Sequence, residues 1–125
     1  MARTLCRVAG VVLLLIGLVG FAAPGLLGMH LTPIHNVVHL LTAAMALYFG
    51  FAGSAAAARS FCIAFGAIYL LLGVLGLAAP DAVAAIIGHG PVSGGELMPD
   101  HIVHRLLGAV FLGVGLTTPR VAARA

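Results

Sequence analysis

The chain has 125 residues, 62% of them hydrophobic and 7% charged, with a formal net charge of +3 and a mean hydropathy of +1.21. A soluble domain of this length lacks the interior to hide so many apolar side chains, so the lipid bilayer must take the excess. Every basic residue is an arginine and none forms a run, which excludes the basic patch that grips nucleic-acid phosphates.

A spanning helix needs about 20 mostly apolar residues, and four segments meet that length. The first runs from about Leu5 to Ala23 and is expected to stop at Pro24-Gly25. The second starts near Pro33, with Thr32 as its cap, and runs to about Ser54. The third covers Phe61 to Ala79 and is expected to stop at Pro80. In the link from Asp81 to Pro99, the stretch DAVAAIIG is too short to cross and reads as an interfacial turn of helix. The fourth span runs from about Asp100 to Leu116, with Asp100 a candidate cap after Pro99. Arg3 and Arg7 before an apolar run give the first span the look of a signal peptide. The third span is its near-copy and lies inside the chain, so both read as retained helices.

That copying is extensive. RTLCRVAGVVLLLIGLVGFAAP (Arg3–Pro24) returns as RSFCIAFGAIYLLLGVLGLAAP (Arg59–Pro80), and HNVVHLLTAAMALYFG from His35 returns as DHIVHRLLGAVFLGVG from Asp100. The expectation is one membrane domain over 1–125, made of two helical hairpins, 3–58 and 59–125. Each repeat holds two spans, so both insert the same way up, and the all-α four-helix bundle acquires a pseudo-twofold axis along the membrane normal. Gly10, Gly17, Gly66 and Gly73, with the pairs Ala46/Gly50 and Ala109/Gly113, are the expected close-packing positions. Cys6 and Cys62 match in register and read as small packing residues.

Orientation follows from charge. Arg3, Arg7, Arg59, Arg120 and Arg124 fall at the two termini and the link between spans two and three. The positive-inside rule makes that side cytoplasmic, so both termini of the multi-pass chain are expected in the cytoplasm. All three acids and all six histidines fall at the other end. Arg105 alone breaks the partition, with Asp81, Glu96 and Asp100 as candidate partners.

The chemistry sits in those histidines. His35 and His39 are four apart and share a helix face, as do their counterparts Asp100 and His104. Turned to one centre, three imidazoles and a carboxylate make a shell for zinc or copper, with Asn36 and His101 placed to orient the ligands. His39 and His104 could instead hold a haem between them, with Ala43, Ala44, Gly108 and Ala109 leaving room. The plainest use is a structural clasp between His39 and His104, with His35 and His101 solvated and Asp100 spent as a cap. The clasp is the first expectation and the metal or haem site its alternative.

IHNVVHLLTAAMAL and PDHIVHRLLGAVFL, each following an apolar G-x-x-G segment, resemble the small four-pass bacterial membrane proteins of the family called domain of unknown function 4383. The second copy departs from that pattern at His101 and Arg105. The resemblance implies the four-pass topology and no activity. The chain carries no nucleophile beside a histidine, no phosphate loop and no acid–base carboxylate pair, so a non-enzymatic role is expected. Its partners are the bilayer and either a second copy or another membrane protein, with a small oligomeric transporter or channel as the remaining alternative.

Overall fold

The computed structural model describes residues 1–93 and 95–120. The described residues form five α-helices: α1 (Ala2–Val19), α2 (Pro33–Phe51), α3 (Ala55–Ala78), α4 (Pro80–Ile86) and α5 (Met98–Thr117). Arg124 lies outside the described residues.

Local chemistry sets most of the boundaries. Thr32 caps α2 as expected, its side chain accepting from His35 N at 3.1 Å, with Pro33 in the first helical turn. Ser54 does the same for α3 through Ala57 N. The run Ala55–Ala58 then carries the helix several residues ahead of the expected start at Phe61, because alanine is the strongest helix former. Pro80 ends α3 by pushing Ala79 out of the helical region, then opens α4 at its first turn. Helix α5 begins at Met98, so Asp100 lies within the first turn and caps nothing. Helix α1 ends at Val19, and Gly20–Ala23 form the turn that was expected to continue it.

Three helices, α1, α2 and α3, are long and apolar enough to cross a membrane. Helix α5 matches them in length, but Asp100, His101, His104 and Arg105 crowd its first two turns. Large apolar side chains such as Val8, Leu15, Leu41, Ile68, Leu71 and Leu106 face outward around the helices, an apolar surface that water would not tolerate at this extent.

The helices pair by glycine. A side chain at Gly10 or Gly17 of α1, or at Gly20 just past its end, would strike Leu47, Leu40 or Asn36 of α2 respectively. One at Gly66, Gly73 or Gly76 of α3 would strike Leu112, Arg105 or His101 of α5. In both pairs the partner numbers fall as the glycine numbers rise, so each pair is antiparallel. Gly50 and Gly115 close the far ends against Arg7 and Ile63. The buried face of α5 runs through Gly108 and Gly115, whereas Ala109 and Gly113 face outward, contrary to expectation. The helix turns the stripe one residue away from the expected pair.

Between the hairpins lies a core of Cys6, Leu13, Cys62, Phe65, Tyr69 and Phe111. The Cys6 and Cys62 sulfurs are 3.6 Å apart and unbonded. At this end Arg3 and Arg7 donate to the last carbonyls of α2, at Gly50 and Phe51, and Arg59 donates to Thr118 O beyond α5. Guanidinium groups thereby satisfy carbonyls that a helix C-terminus leaves free. At the opposite end Ala84, Ile87 and Leu97 form a small second cluster. It joins α4 to the segment that leads into α5. Thr32 Oγ1 donates to Ile87 O and ties that cluster to the start of α2.

Candidate metal centre

Helix α2 presents His35 and His39 from successive turns, and α5 brings His104 to meet them. All three are buried, at 2%, 5% and 5% exposure. The rings pack directly: His35 lies 4.4 Å from His39 and 5.6 Å from His104, centroid to centroid, and Tyr69 meets His104 edge-on at 5.2 Å. One side-chain nitrogen from each histidine lies within 4.8 Å of the other two.

What those nitrogens do decides the chemistry. His35 Nδ1 stands 2.8 Å from the carbonyl oxygen of His30. A carbonyl can only accept, so the proton is on Nδ1 and the lone pair is on Nε2. That Nε2 is fully buried and has no hydrogen-bond partner, and the same holds for Nδ1 of His39 and Nδ1 of His104. A buried polar atom left without a partner costs about 1–3 kcal/mol. A clasp would have joined His39 to His104 by a hydrogen bond and removed that cost. Among the described residues no hydrogen bond joins them, and each ring packs on His35 instead.

Asp100 was expected to complete the shell. It is 1% exposed and faces away from the three nitrogens, accepting from His30 N at 3.1 Å and from His30 Nδ1 at 3.2 Å. Its other carboxylate oxygen stands 3.8 Å from His35 Nδ1. The reason is its place in the first turn of α5, which aims it at the loop before α2. It therefore holds His30, whose carbonyl in turn receives His35 Nδ1 and orients that ring.

Four further expectations are corrected. His35 and His101 are buried rather than solvated. Asn36 and His101 do not reach the imidazoles, because each is spent against a glycine of the neighbouring helix, Gly20 and Gly76. Arg105 donates to His101 O and pairs with none of its three candidate acids among the described residues. Asp81 accepts from Val92 N, and Glu96 from Ser93 N. The space that Gly108 was expected to leave is filled by the α3 backbone at Leu70 and Gly66. The room that does exist is a cavity of about 100 Å³, lined by Met29, Tyr69, His39, His104 and apolar side chains. Water occupies about 30 Å³ per molecule, so the cavity accommodates a small exogenous ligand.

Sequence reasoning missed His30. It lies in the loop ahead of α2, outside any helical periodicity, and only its spacing of five from His35 hinted that its carbonyl would set that ring's tautomer.

The protein is thus all-α, with apolar helices consistent with a membrane protein and a buried group of three imidazoles at one end. Residues 3–117 match the family described as Domain of unknown function (DUF4383), and the chain belongs to that family. No curated protein and no solved structure matches it.

Proposed function

We propose that the protein is a metal-binding membrane protein, in which His35, His39 and His104 hold a zinc- or copper-class ion, the His30 carbonyl orients His35, and Asp100 holds His30 in place. The observation that carries this reading is the convergence of three buried imidazoles, each with a buried nitrogen that has no hydrogen-bond partner. Zinc and copper both accept neutral imidazole. Three protein ligands leave a fourth position open, and the neighbouring cavity gives it room. Met29 lines that cavity, and a thioether favours copper(I). The buried Asp100 carboxylate supplies counter-charge for a dication in a low-dielectric setting, where bare charge is costly. The reading assigns the protein a holding role and no catalytic residue.

In the same proposal the chain crosses the bacterial inner membrane four times, as a four-helix bundle of two repeats related by a pseudo-twofold axis along the membrane normal. The glycine contacts support it. Gly10 on Leu47 and Gly66 on Leu112 occupy matched positions of the duplicated sequence, as do Gly17 on Leu40 and Gly73 on Arg105. Cys6 and Cys62 meet where such an axis would pass. The arginines Arg3, Arg7 and Arg59 at the end away from the histidines support cytoplasmic termini. Assembly with a second copy or another membrane protein belongs to this proposal.

The test is metal binding by the full chain in lipid nanodiscs after chelator stripping. Zn²⁺ and Cu⁺ are each titrated against a competing chelator, and X-ray absorption reads the ligands. The expected result is an imidazole-ligated equivalent whose affinity His39→Ala and His104→Ala each reduce sharply. Metal binding unchanged in both variants, or no binding by the intact chain, overturns the reading.

A further inference from the structure

A second group of ligand-type side chains lies at the same end, outside the buried centre. His30 precedes α2, and His89 and Glu96 flank the turn that links α4 to α5. One ligand atom from each falls within 4.8 Å of the other two. His30 and His89 keep 27% and 23% of their side-chain surface exposed, and Glu96 38%. Both imidazoles line a hollow of about 500 Å³ with Pro24, Met29, Thr32 and Pro33. An ion could therefore reach them from solvent.

Each histidine is held with its Nε2 lone pair free. His89 Nδ1 lies 3.0 Å from the Gly90 carbonyl, which can only accept, so the proton is on Nδ1. His30 Nδ1 lies 3.2 Å from the buried carboxylate of Asp100 and donates there. Both Nε2 atoms then point at the same oxygen, Glu96 Oε1, at 3.7 and 3.9 Å. The other oxygen, Oε2, is occupied by Ser93 N at 3.3 Å. A direct charge-assisted hydrogen bond would close to about 2.7–2.9 Å. Ligands of a tetrahedral zinc, at about 2.0–2.1 Å from the metal, stand roughly 3.3 Å apart. The spacing observed is too wide for the first and a few tenths of an ångström from the second. The two rings meet edge-on, with centroids 5.1 Å apart, so they do not stack across the position an ion would take.

The backbone holds this arrangement. Gly88 has φ +72° and ends α4 in the left-handed region, turning His89 back over His30, and Gly95 has φ +79° just before Glu96.

We propose that His30, His89 and Glu96 form a second metal site, open to solvent, for a zinc-class divalent cation. It shares Asp100 with the buried centre: one carboxylate oxygen receives His30 Nδ1, and the other faces His35 Nδ1. The site does not require the buried centre to be filled, so the two readings can fail separately.

The experiment counts ions on the full chain in nanodiscs, using Zn²⁺ against a competing chelator and Co²⁺ by visible absorption. The intact chain is expected to take up two equivalents. His89→Ala and Glu96→Gln, both in loop positions, are each expected to weaken one equivalent by about 10-fold or more while the other stays. Metal-free variants with the thermal stability of the parent exclude a folding defect. In His39→Ala the outer equivalent is expected to survive. If His89→Ala and Glu96→Gln both bind metal with the stoichiometry and affinity of the intact chain, the outer site is overturned, whatever His39→Ala does. If they lose an equivalent while His39→Ala loses none, the outer site stands and the buried centre falls.

Discussion

The hairpin α1·α2 and the hairpin α3·α5 are built on the same contacts and differ in what lies on them. Gly17 lies under Leu40 in the first and Gly73 under Arg105 in the second, and Gly20 meets Asn36 where Gly76 meets His101. The imidazoles His39 and His104 agree, but the preceding turn carries His35 in α2 and Asp100 in α5. That one difference converts a symmetric four-ligand shell into three imidazoles backed by a carboxylate. Packing tolerates the divergence because glycine against a helix backbone asks only for closeness. Chemistry does not, because a carboxylate in the first turn of α5 finds the His30 backbone before it finds an ion.

The largest effect should come from breaking the part on which the hairpins agree. His39→Ala and His104→Ala are each expected to reduce Zn²⁺ affinity by about 100-fold or more, equivalent to roughly 2.7 kcal/mol. His101→Ala, spent against Gly76, should change it little. Competition titration checks all three, and a loss confined to one hairpin would mean the site is not shared.

The packing prediction is next in size. A methyl at Gly66 meets the backbone of Leu112, which cannot turn aside, whereas one at Gly10 first meets the end of the Leu47 side chain at 2.8 Å. Overpacking typically costs about 1–3 kcal/mol, and Gly66→Ala is expected near the top of that range with Gly10→Ala near the bottom. Thermal unfolding in detergent measures the order, and equal losses would remove the distinction between the hairpins.

Asp100→Asn should weaken Zn²⁺ binding by about 10-fold, the low end for a residue that orients a ligand. Asp100→His tests the symmetry argument directly. A fourth imidazole at that position should fail to tighten binding, because the position faces His30. Tighter binding in Asp100→His would show that the α5 turn can face the centre after all.

The smallest effect is expected at the arginine end. Arg3 serves two carbonyls of α2, Gly50 O at 3.2 Å and Phe51 O at 2.8 Å, while among the described residues Arg59 serves one, Thr118 O beyond α5, at 3.0 Å. Cations at helix C-termini contribute about 0.3–1 kcal/mol. Arg3→Ala is therefore expected to lower stability slightly more than Arg59→Ala, readable as a difference of a few degrees or less in melting temperature.

Much of the frame was legible because it depends on neighbours in the chain. Thr32 before Pro33 announced the start of α2, and the four-residue spacing of His35 and His39 announced that the two share a face. The end of α1 and the start of α3 were misplaced, since apolar runs continue past the residues where helices stop and begin. The chosen stripe on α5, Ala109 and Gly113, was wrong by one position. Gly108 and Ala109 are both small, and only the placement of α3 tells them apart.

Sequence by itself determined the all-α architecture, the apolar character of its helices and the segregation of histidines from most arginines, since composition and helical period act locally. It also singled out His35, His39 and His104, which share helix faces. Only the tertiary structure decided that Asp100 serves His30 and that His30, His89 and Glu96 come together. Those meetings depend on how the loop before α2 and the segment between α4 and α5 fold over the helix ends. No periodicity encodes them, because each joins residues distant in the chain through loop placement rather than through a shared helix face.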